Sequence, residues 1–540
     1  MFPSRNRARL PRNSGNAVHR SHGHAPNSFS SSSPPTIFPR IAPVAIFFIM
    51  LLFVLFLQIA SDIIARTRTV VGHNLEPTPW HLFQPKKFHR GPGMSARILR
   101  CSYLSCSALS ARLSASSASA NGTQNGTAGN VTTAPLPAEP LPRLLDSGPP
   151  PACPPYFRWI QEDLAPWAAS GVSMTSLMEA KEYSALRIVI VGGRLYADYY
   201  YACVQSRAMF TLWGLLQLLR RYPGMVPDVD LMFDCMDRPV LNRSALDSPV
   251  PPPPLFRYCT TPQHVDIPFP DWSFWGWPEV NIGPWDEEYA SIKNGSLSRN
   301  WGEKHPYAYW KGNPDVQSPV RENLLNCNDT NIWGARILRQ DWIEEAKSGF
   351  EQSKLANQCD HRYKIYAEGY AWSVSLKYIL SCTSLTLIID PQYSDFLSRG
   401  LTPRENYWPI SPSNLCPSIK YAVDWGNEHP SEAESIGKGG QDYMKNVSMD
   451  RVYDYMYHVM VEYSKLQDFK PSPPPTAQEL CPEQLLCYAD KKQREFLKRS
   501  VASPSTTLPC ALPPPDGNLM KRFAQDKHTR IGTTENSEKV

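Results

Sequence analysis

Two Rossmann-like α/β lobes around a central cleft, preceded by a single transmembrane helix, are the architecture that this sequence predicts. Three observations carry the expectation. Helix and strand signals alternate from about residue 153 to residue 469, short glycine turns follow two of the strands, and residues 41–60 form one unbroken apolar run. Such alternation builds α/β layers with parallel strands.

The run from Ile41 to Ala60 reads IAPVAIFFIMLLFVLFLQIA. About 20 apolar residues is the length of a helix that crosses a bilayer. Residues 1–40 precede it, which predicts an uncleaved anchor, because a signal peptide has a shorter apolar region nearer its start. Arg5, Arg7, Arg9, Arg12, Arg20 and Arg40 lie before the run with no acidic residue among them. The positive-inside rule therefore leaves residues 1–40 in the cytosol and the remainder lumenal, a single-pass type II topology.

All 13 cysteines and seven Asn-x-Ser/Thr acceptors (Asn121, Asn125, Asn130, Asn242, Asn294, Asn328 and Asn446) lie after the run. Both patterns suit an oxidising, glycosylating lumen. An odd cysteine count leaves at least one thiol without an intramolecular partner. The net charge of +5 is small and much of it sits at the N terminus, so no nucleic-acid-binding face is expected.

Residues 61–152 are rich in Ser, Ala, Pro, Gly and Asn, too poor in large apolar side chains to bury a core, and read as a disordered stalk. Residues 470–540 are Pro-rich and charged and read as a loose tail. Between them, residues 153–469 form the folded domain, with the change of lobe near residues 300–335. Its first half shows a helix at Met174–Tyr183, a strand at Leu186–Val191 ending in Gly192 and Gly193, a helix at Arg207–Arg221 and a strand at Val229–Phe233. The second half shows a helix over Ile337–Phe350, a strand at Tyr363–Ala367, a helix at Trp372–Ser381 and a strand at Leu385–Asp390. Ligands of open α/β sheets sit beyond the carboxyl ends of strands, so chemistry is expected there.

Four segments carry candidate chemistry. FDCMDRP places Asp234 and Asp237 directly after a strand, where a carboxylate can take the proton of an attacking hydroxyl; a plain turn explains the same residues. DIPFPDWSFWGWPE offers Trp272, Phe274, Trp275 and Gly276 for the apolar faces of a sugar or nucleoside, against an aromatic core plug. YAYWKGNPD brings Lys311, Gly312 and Asn313 to a turn that an anion can approach, or forms a simple hairpin. YAEGYAWSVSLKYILSC sets Glu368 and Gly369 in a turn before a helix with Ser373, Ser375 and Lys377, where orphan N–H groups favour phosphate and Glu368 can hold ribose hydroxyls. Asp228 and Asp230 spell Asp-x-Asp, the metal-holding pattern of many sugar transferases. They precede the strand rather than follow it, so no metal site is expected.

Taken in order, FDCMDRP, HVDIPFPDWSFWGWPE, YAYWKGNPD with Arg321 downstream, and QCDHRYKIYAEGYAWSVSLKYILSCTSLTLIID resemble the Rumi-type protein O-glucosyltransferases, glycosyltransferase family 90. That family also holds the fungal capsule-associated xylosyltransferases and many plant proteins. The resemblance covers about residues 153–469. It implies a GT-B-like fold and an inverting, metal-independent transfer from UDP-glucose or UDP-xylose, with no cofactor, to a glycoprotein or polysaccharide hydroxyl. Its catalytic base falls on Asp237, and its donor-binding segments fall on Trp272–Trp277, on Ala308–Pro314 and on Gly369–Ser375 followed by Lys377. A disulfide of the family maps onto Cys359 and Cys382. Lys311 and Ser375 stand where animal members carry Arg. The chain ends in Ser-Glu-Lys-Val rather than a Lys-Asp-Glu-Leu signal, so residence in the Golgi membrane is expected over the ER. The competing expectations are a catalytically inactive lumenal carbohydrate-binding protein of the same fold and a glycoside hydrolase, which needs a second placed carboxylate.

Overall fold

The computed structural model describes Cys101, Cys106, residues 149–247 and residues 251–538. The expected cytosolic tail, the span at residues 41–60 and nearly all of the stalk, with the acceptors Asn121, Asn125 and Asn130, lie outside the described residues. Among the described residues no helix is long and apolar enough to cross a membrane.

The first sheet is mixed rather than a parallel Rossmann unit. β1 (Leu186–Val191) and β2 (Arg194–Tyr199) form an antiparallel hairpin across Gly192 and Gly193, whose φ values of 56° and 72° suit glycine. That turn reverses the chain in two residues, whereas a parallel crossover needs a dozen or more. β3 (Val229–Phe233) pairs antiparallel with β1, and the short β4 (Phe256–Arg257) and β5 (Ile267–Pro268) continue the sheet in parallel. The helix Arg207–Arg221 has the bounds that its apolar spacing predicts and buries Phe210, Leu212, Trp213 and Leu215.

The second sheet is wholly parallel. β6 (His305–Gly312), β7 (Ala335–Arg339), β8 (His361–Tyr366), β9 (Leu385–Ile389) and β10 (Trp408–Ile410) lie in the order β10-β9-β8-β6-β7. Strand order reverses between β6 and β8, so their carboxyl ends form the topological switch point. β7 corrects the helix expected from Ile337. Ala335 and Ile337 are buried with the exposed Arg336 between them, the alternation of a strand, and the helix that follows is only Trp342–Lys347.

One face of this sheet packs Trp310, Ile337, Tyr363 and Leu387 against Ile419, Ala422 and Val423 of the helix Leu415–Glu428. From the other face, Leu376, Tyr378, Ile379 and Leu380 of the helix Ser375–Leu380 enter the core of the first sheet beside Phe233, Trp272, Phe274 and Trp285. The two sheets are thereby joined by a continuous apolar core.

Residues 470–538, read as a loose tail, are built into the fold. β11 (Gln478–Leu480) pairs with β2, and the helices Pro482–Tyr488, Lys491–Arg499 and Gly517–Ser537 follow. Phe496 and Leu497 are buried in the core, Ala502 N donates to Gln217 Oε1 at 2.9 Å, and Trp213 Nε1 donates to Ser500 Oγ at 3.0 Å. Six disulfides form: Cys101–Cys487, Cys106–Cys481, Cys153–Cys510, Cys203–Cys235, Cys327–Cys416 and Cys359–Cys382. The last is the pair that the resemblance implied. Cys259 is the remaining cysteine, a buried thiol. The acceptors Asn242, Asn294, Asn328 and Asn446 are all exposed.

Candidate active site

The loop that follows β3 is held at both ends. Asp234, fully buried, accepts a hydrogen bond from Tyr201 Oη at 2.5 Å and pairs with Arg257, while burial raises the pKa of its carboxyl. At the far end Asp266 accepts from Val240 N at 3.1 Å and Leu241 N at 2.9 Å and lies 3.2 Å from Arg257 Nε. Burial lifts the Asp266 carboxyl to about 6. Cys203–Cys235 fastens the start of the loop beside Asp234, and Cys259 Sγ donates to Asp237 O at 3.1 Å. Between these anchors the Asp237 side chain remains 30% exposed, with Oδ1 taking Arg207 Nη1 at 2.5 Å. Arg238 Nε reaches Tyr370 O at 2.9 Å and its guanidinium covers the Tyr370 ring at 3.9 Å. The Asp237 loop therefore abuts the turn after β8.

At the switch point the chain presents Arg321. Its Nη1 donates to Asn313 O at 2.9 Å, its Nη2 to Ala367 O at 3.1 Å and to Ser373 Oγ at 3.2 Å, and its guanidinium lies 3.3 Å from the point where a Cβ on Gly369 would stand. No carboxylate forms an ion pair with it among the described residues, and burial lowers its pKa to about 10. Ser373 Oγ and Ser375 Oγ are 2.9 Å apart, and Ser373 N donates to Tyr366 Oη at 3.0 Å. This guanidinium, with no ion-pair partner among the described residues and two hydroxyls beside it at the ends of two parallel strands, offers donors of the kind that anions take. In the sequence Arg321 is only a landmark downstream of YAYWKGNPD. Its signal is its place in the short helix Pro319–Leu324, the first helix after β6.

Several expected donor contacts face elsewhere. Lys311 is committed to Glu345 Oε1 at 2.6 Å and Gln352 O at 2.8 Å. Lys377, 2% exposed, donates to Ser273 Oγ at 2.7 Å and lies 3.3 Å from Asp271, so it ties the second lobe to the aromatic loop of the first. Phe274 and Trp275 are fully buried, with Trp275 Nε1 donating to Tyr453 Oη at 3.0 Å, and are core plugs. Gly276 has φ +124°, and a Cβ there would stand 2.7 Å from Phe496, so its role is to let the tail pack. Gly312 serves packing too, since a Cβ would meet the Trp310 ring at 2.4 Å. Asn313 Oδ1 is spent on Asp315 N at 2.9 Å. Trp272, 2% exposed, is a core ring too; it lies under the Arg207 guanidinium at 4.2 Å and against Trp372, centroids 6.3 Å apart.

Glu368 also corrects the expectation of a ribose contact. Its two oxygens accept from Gln392 N at 3.0 Å and Tyr393 N at 2.8 Å, which fixes the loop after β9. Burial raises its pKa from 4.5 to about 7. A folded-state pKa above the unfolded value gives stability that is present below about 4.5 and lost as pH rises through about 7. The melting temperature is thus expected to fall between pH 5 and pH 8, and Glu368→Gln to flatten that slope; parallel slopes in the two proteins would exclude this carboxyl as the source.

The Asp-x-Asp pair does not form a metal site. Asp228 Oδ1 accepts from Gly192 N at 2.7 Å at the hairpin, and Asp230, fully buried, takes both Nε and Nη2 of Arg187 at 2.8 and 2.5 Å. The group Cys153, His458 and Cys510 has ligand spacing, but the two sulfurs are joined as a disulfide.

Asp237 on the first lobe and the cluster of Arg321, Ser373 and Ser375 at the switch point of the second are thus brought to one place by the contact of Arg238 with Tyr370. The family model for Glycosyl transferase family 90 matches residues 149–538, and the chain belongs to that family and is a glycosyltransferase. It is similar to an O-glucosyltransferase rumi homolog of Anopheles gambiae, 24% identical over 57% of this chain and 77% of that protein. The O-glucosyltransferase rumi of Drosophila melanogaster is 23% identical over 62% and 81%, and the Protein O-glucosyltransferase 1 of Homo sapiens 23% over 59% and 81%. The family match runs well past residue 469, in keeping with the folded C-terminal segment.

Proposed function

We propose that this protein transfers glucose or xylose from a UDP-sugar to a hydroxyl of a protein in the secretory pathway, with inversion and without a metal ion. The observation that carries the reading is the contact of Arg238 with Tyr370, which sets the Asp237 loop against the turn that holds Ser373 and Arg321. The sugar donor would lie with its diphosphate on Arg321, Ser373 and Ser375 and its anomeric carbon toward Asp237. Asp237 takes the proton of the acceptor hydroxyl as the oxygen attacks from the face opposite UDP, and Arg321 meets the charge that develops on the leaving diphosphate. The GT-B-like reading of the two sheets and the names of the relatives, both O-glucosyltransferases, support this. Six disulfides fit an oxidising lumen, and the apolar run at residues 41–60 would hold the domain at the Golgi membrane in type II orientation.

The test is UDP release by the full-length protein from a panel of UDP-sugars, with and without a chelator, in the presence of a small disulfide-rich protein module. Chelator-insensitive, acceptor-dependent release from UDP-glucose or UDP-xylose is expected. No release from any donor would return the chain to an inactive carbohydrate-binding role, for which the loss of Lys311 to Glu345 is the structural argument. Arg321→Ala should weaken UDP binding by about 10- to 100-fold, the worth of hydrogen bonds to a charged group. Unchanged calorimetric affinity in a folded variant would remove Arg321 from the diphosphate site.

A further inference from the structure

We propose that Arg207 is a positioning residue for Asp237, tying the orientation of that carboxylate to the donor turn of the second lobe; the inference rests on the transferase reading above. Arg207 opens the helix Arg207–Arg221, and the preceding residue is pinned by Glu279, whose two oxygens take Ser206 N and Ser206 Oγ at 3.0 Å each. Arg207 Nη1 donates to Asp237 Oδ1 at 2.5 Å and to Cys235 O at 3.2 Å, so one nitrogen grips both the carboxylate and the backbone of its loop.

This is unlike an ordinary surface ion pair, which contributes little because both ends stay in water. The Arg207 side chain is 10% exposed, and its Nε is buried without a hydrogen-bond partner. The protein thus bears the cost of desolvating a guanidinium in order to hold a carboxylate that is itself 30% exposed. Oδ1 is occupied by Arg207, and no hydrogen bond to Oδ2 forms among the described residues. One oxygen is fixed and the other is presented for a hydroxyl proton.

The guanidinium also lies 4.2 Å over the Trp272 ring, and Trp272 meets Trp372 edge to face, with centroids 6.3 Å apart at 79°. Trp372 immediately precedes Ser373, the partner of Arg321. Asp237, Arg207, Trp272, Trp372 and Ser373 therefore form one packed run from the base to the diphosphate cradle. A base held against the donor in this way transmits even a shift of about 1 Å into a loss of about 10²-fold in rate.

The experiment compares wild type, Arg207→Met, Arg207→Lys, Asp237→Asn and Arg207→Met with Asp237→Asn, using UDP-glucose with a small disulfide-rich module and separate UDP titration. Arg207→Met should lower kcat by about 10²-fold with KM for the donor and UDP affinity unchanged, and Arg207→Lys should recover part of the loss. The double variant should be no slower than Asp237→Asn alone, as expected of two groups acting as one unit. Melting temperature and an intact Cys203–Cys235 bond report folding. The proposal is overturned if Arg207→Met keeps wild-type kcat, if its loss appears in donor affinity or melting temperature alone, or if the two substitutions multiply. A wild type without Asp237-dependent transfer would instead defeat the transferase reading.

Discussion

Asp237→Asn is expected to slow transfer from UDP-glucose by about 10²- to 10⁴-fold while leaving UDP titration as in the wild type. The amide keeps the volume of the carboxylate, and its carbonyl oxygen can still accept from Arg207, so the loop between Asp234 and Leu241 retains its anchors. What is lost is the acceptor for the hydroxyl proton. Single-turnover transfer measured beside calorimetric UDP binding separates the two effects. An equally active variant would show that the carboxylate is a loop residue and that the proton leaves by another route. Asp234→Asn is the informative contrast: its carboxylate is fully buried between Tyr201 and Arg257, so its loss should act on folding.

Removal of residues 470–540 is expected to abolish folding altogether. Three disulfides end in that segment, at Cys481, Cys487 and Cys510, and each closes a loop of more than 350 residues. A native disulfide is typically worth about 2 to 5 kcal/mol. Burial of Leu480, Leu485, Phe496 and Leu497 adds about 1.5 to 3 kcal/mol for each side chain. Against a total stability of about 5 to 15 kcal/mol, losses of this size leave no folded population. The truncated chain should be retained and degraded in cells, with no protease-resistant core after purification. A truncated protein that melts at the wild-type temperature would return the segment to the status of a tail.

The features read correctly along the chain are those set by local periodicity. The helix Arg207–Arg221 stops before Pro223 and Gly224 as its apolar spacing predicts, although residues 210–218 are buried on every side, and the strands at Leu186–Val191 and Val229–Phe233 are short runs bounded by turn residues. β7 escaped because ARILR is equally apolar at helical and strand spacing, and its pairing with β6 decided the matter. The Gly192–Gly193 pair marked a turn, yet whether a turn leads to a hairpin or a crossover depends on the partner strand. The C-terminal segment is illegible by composition because its buried residues are scattered among prolines and charges, and an average hides them.

Chemistry divided in the same manner. The sequence by itself determined the family and the order of its motifs, because residue type and spacing are properties of the covalent chain, and the resemblance those motifs carry implied the Cys359–Cys382 pair. Only the tertiary structure decided which cation has no salt-bridge partner among the described residues. Lys311, Arg321 and Lys377 carry the same formal charge, but Glu345 and Asp271 arrive from distant segments to neutralise the first and third, while Arg321 receives only carbonyl and hydroxyl partners. The availability of a charge depends on what else is packed within about 4 Å of it, a distance that the fold sets and the sequence does not print.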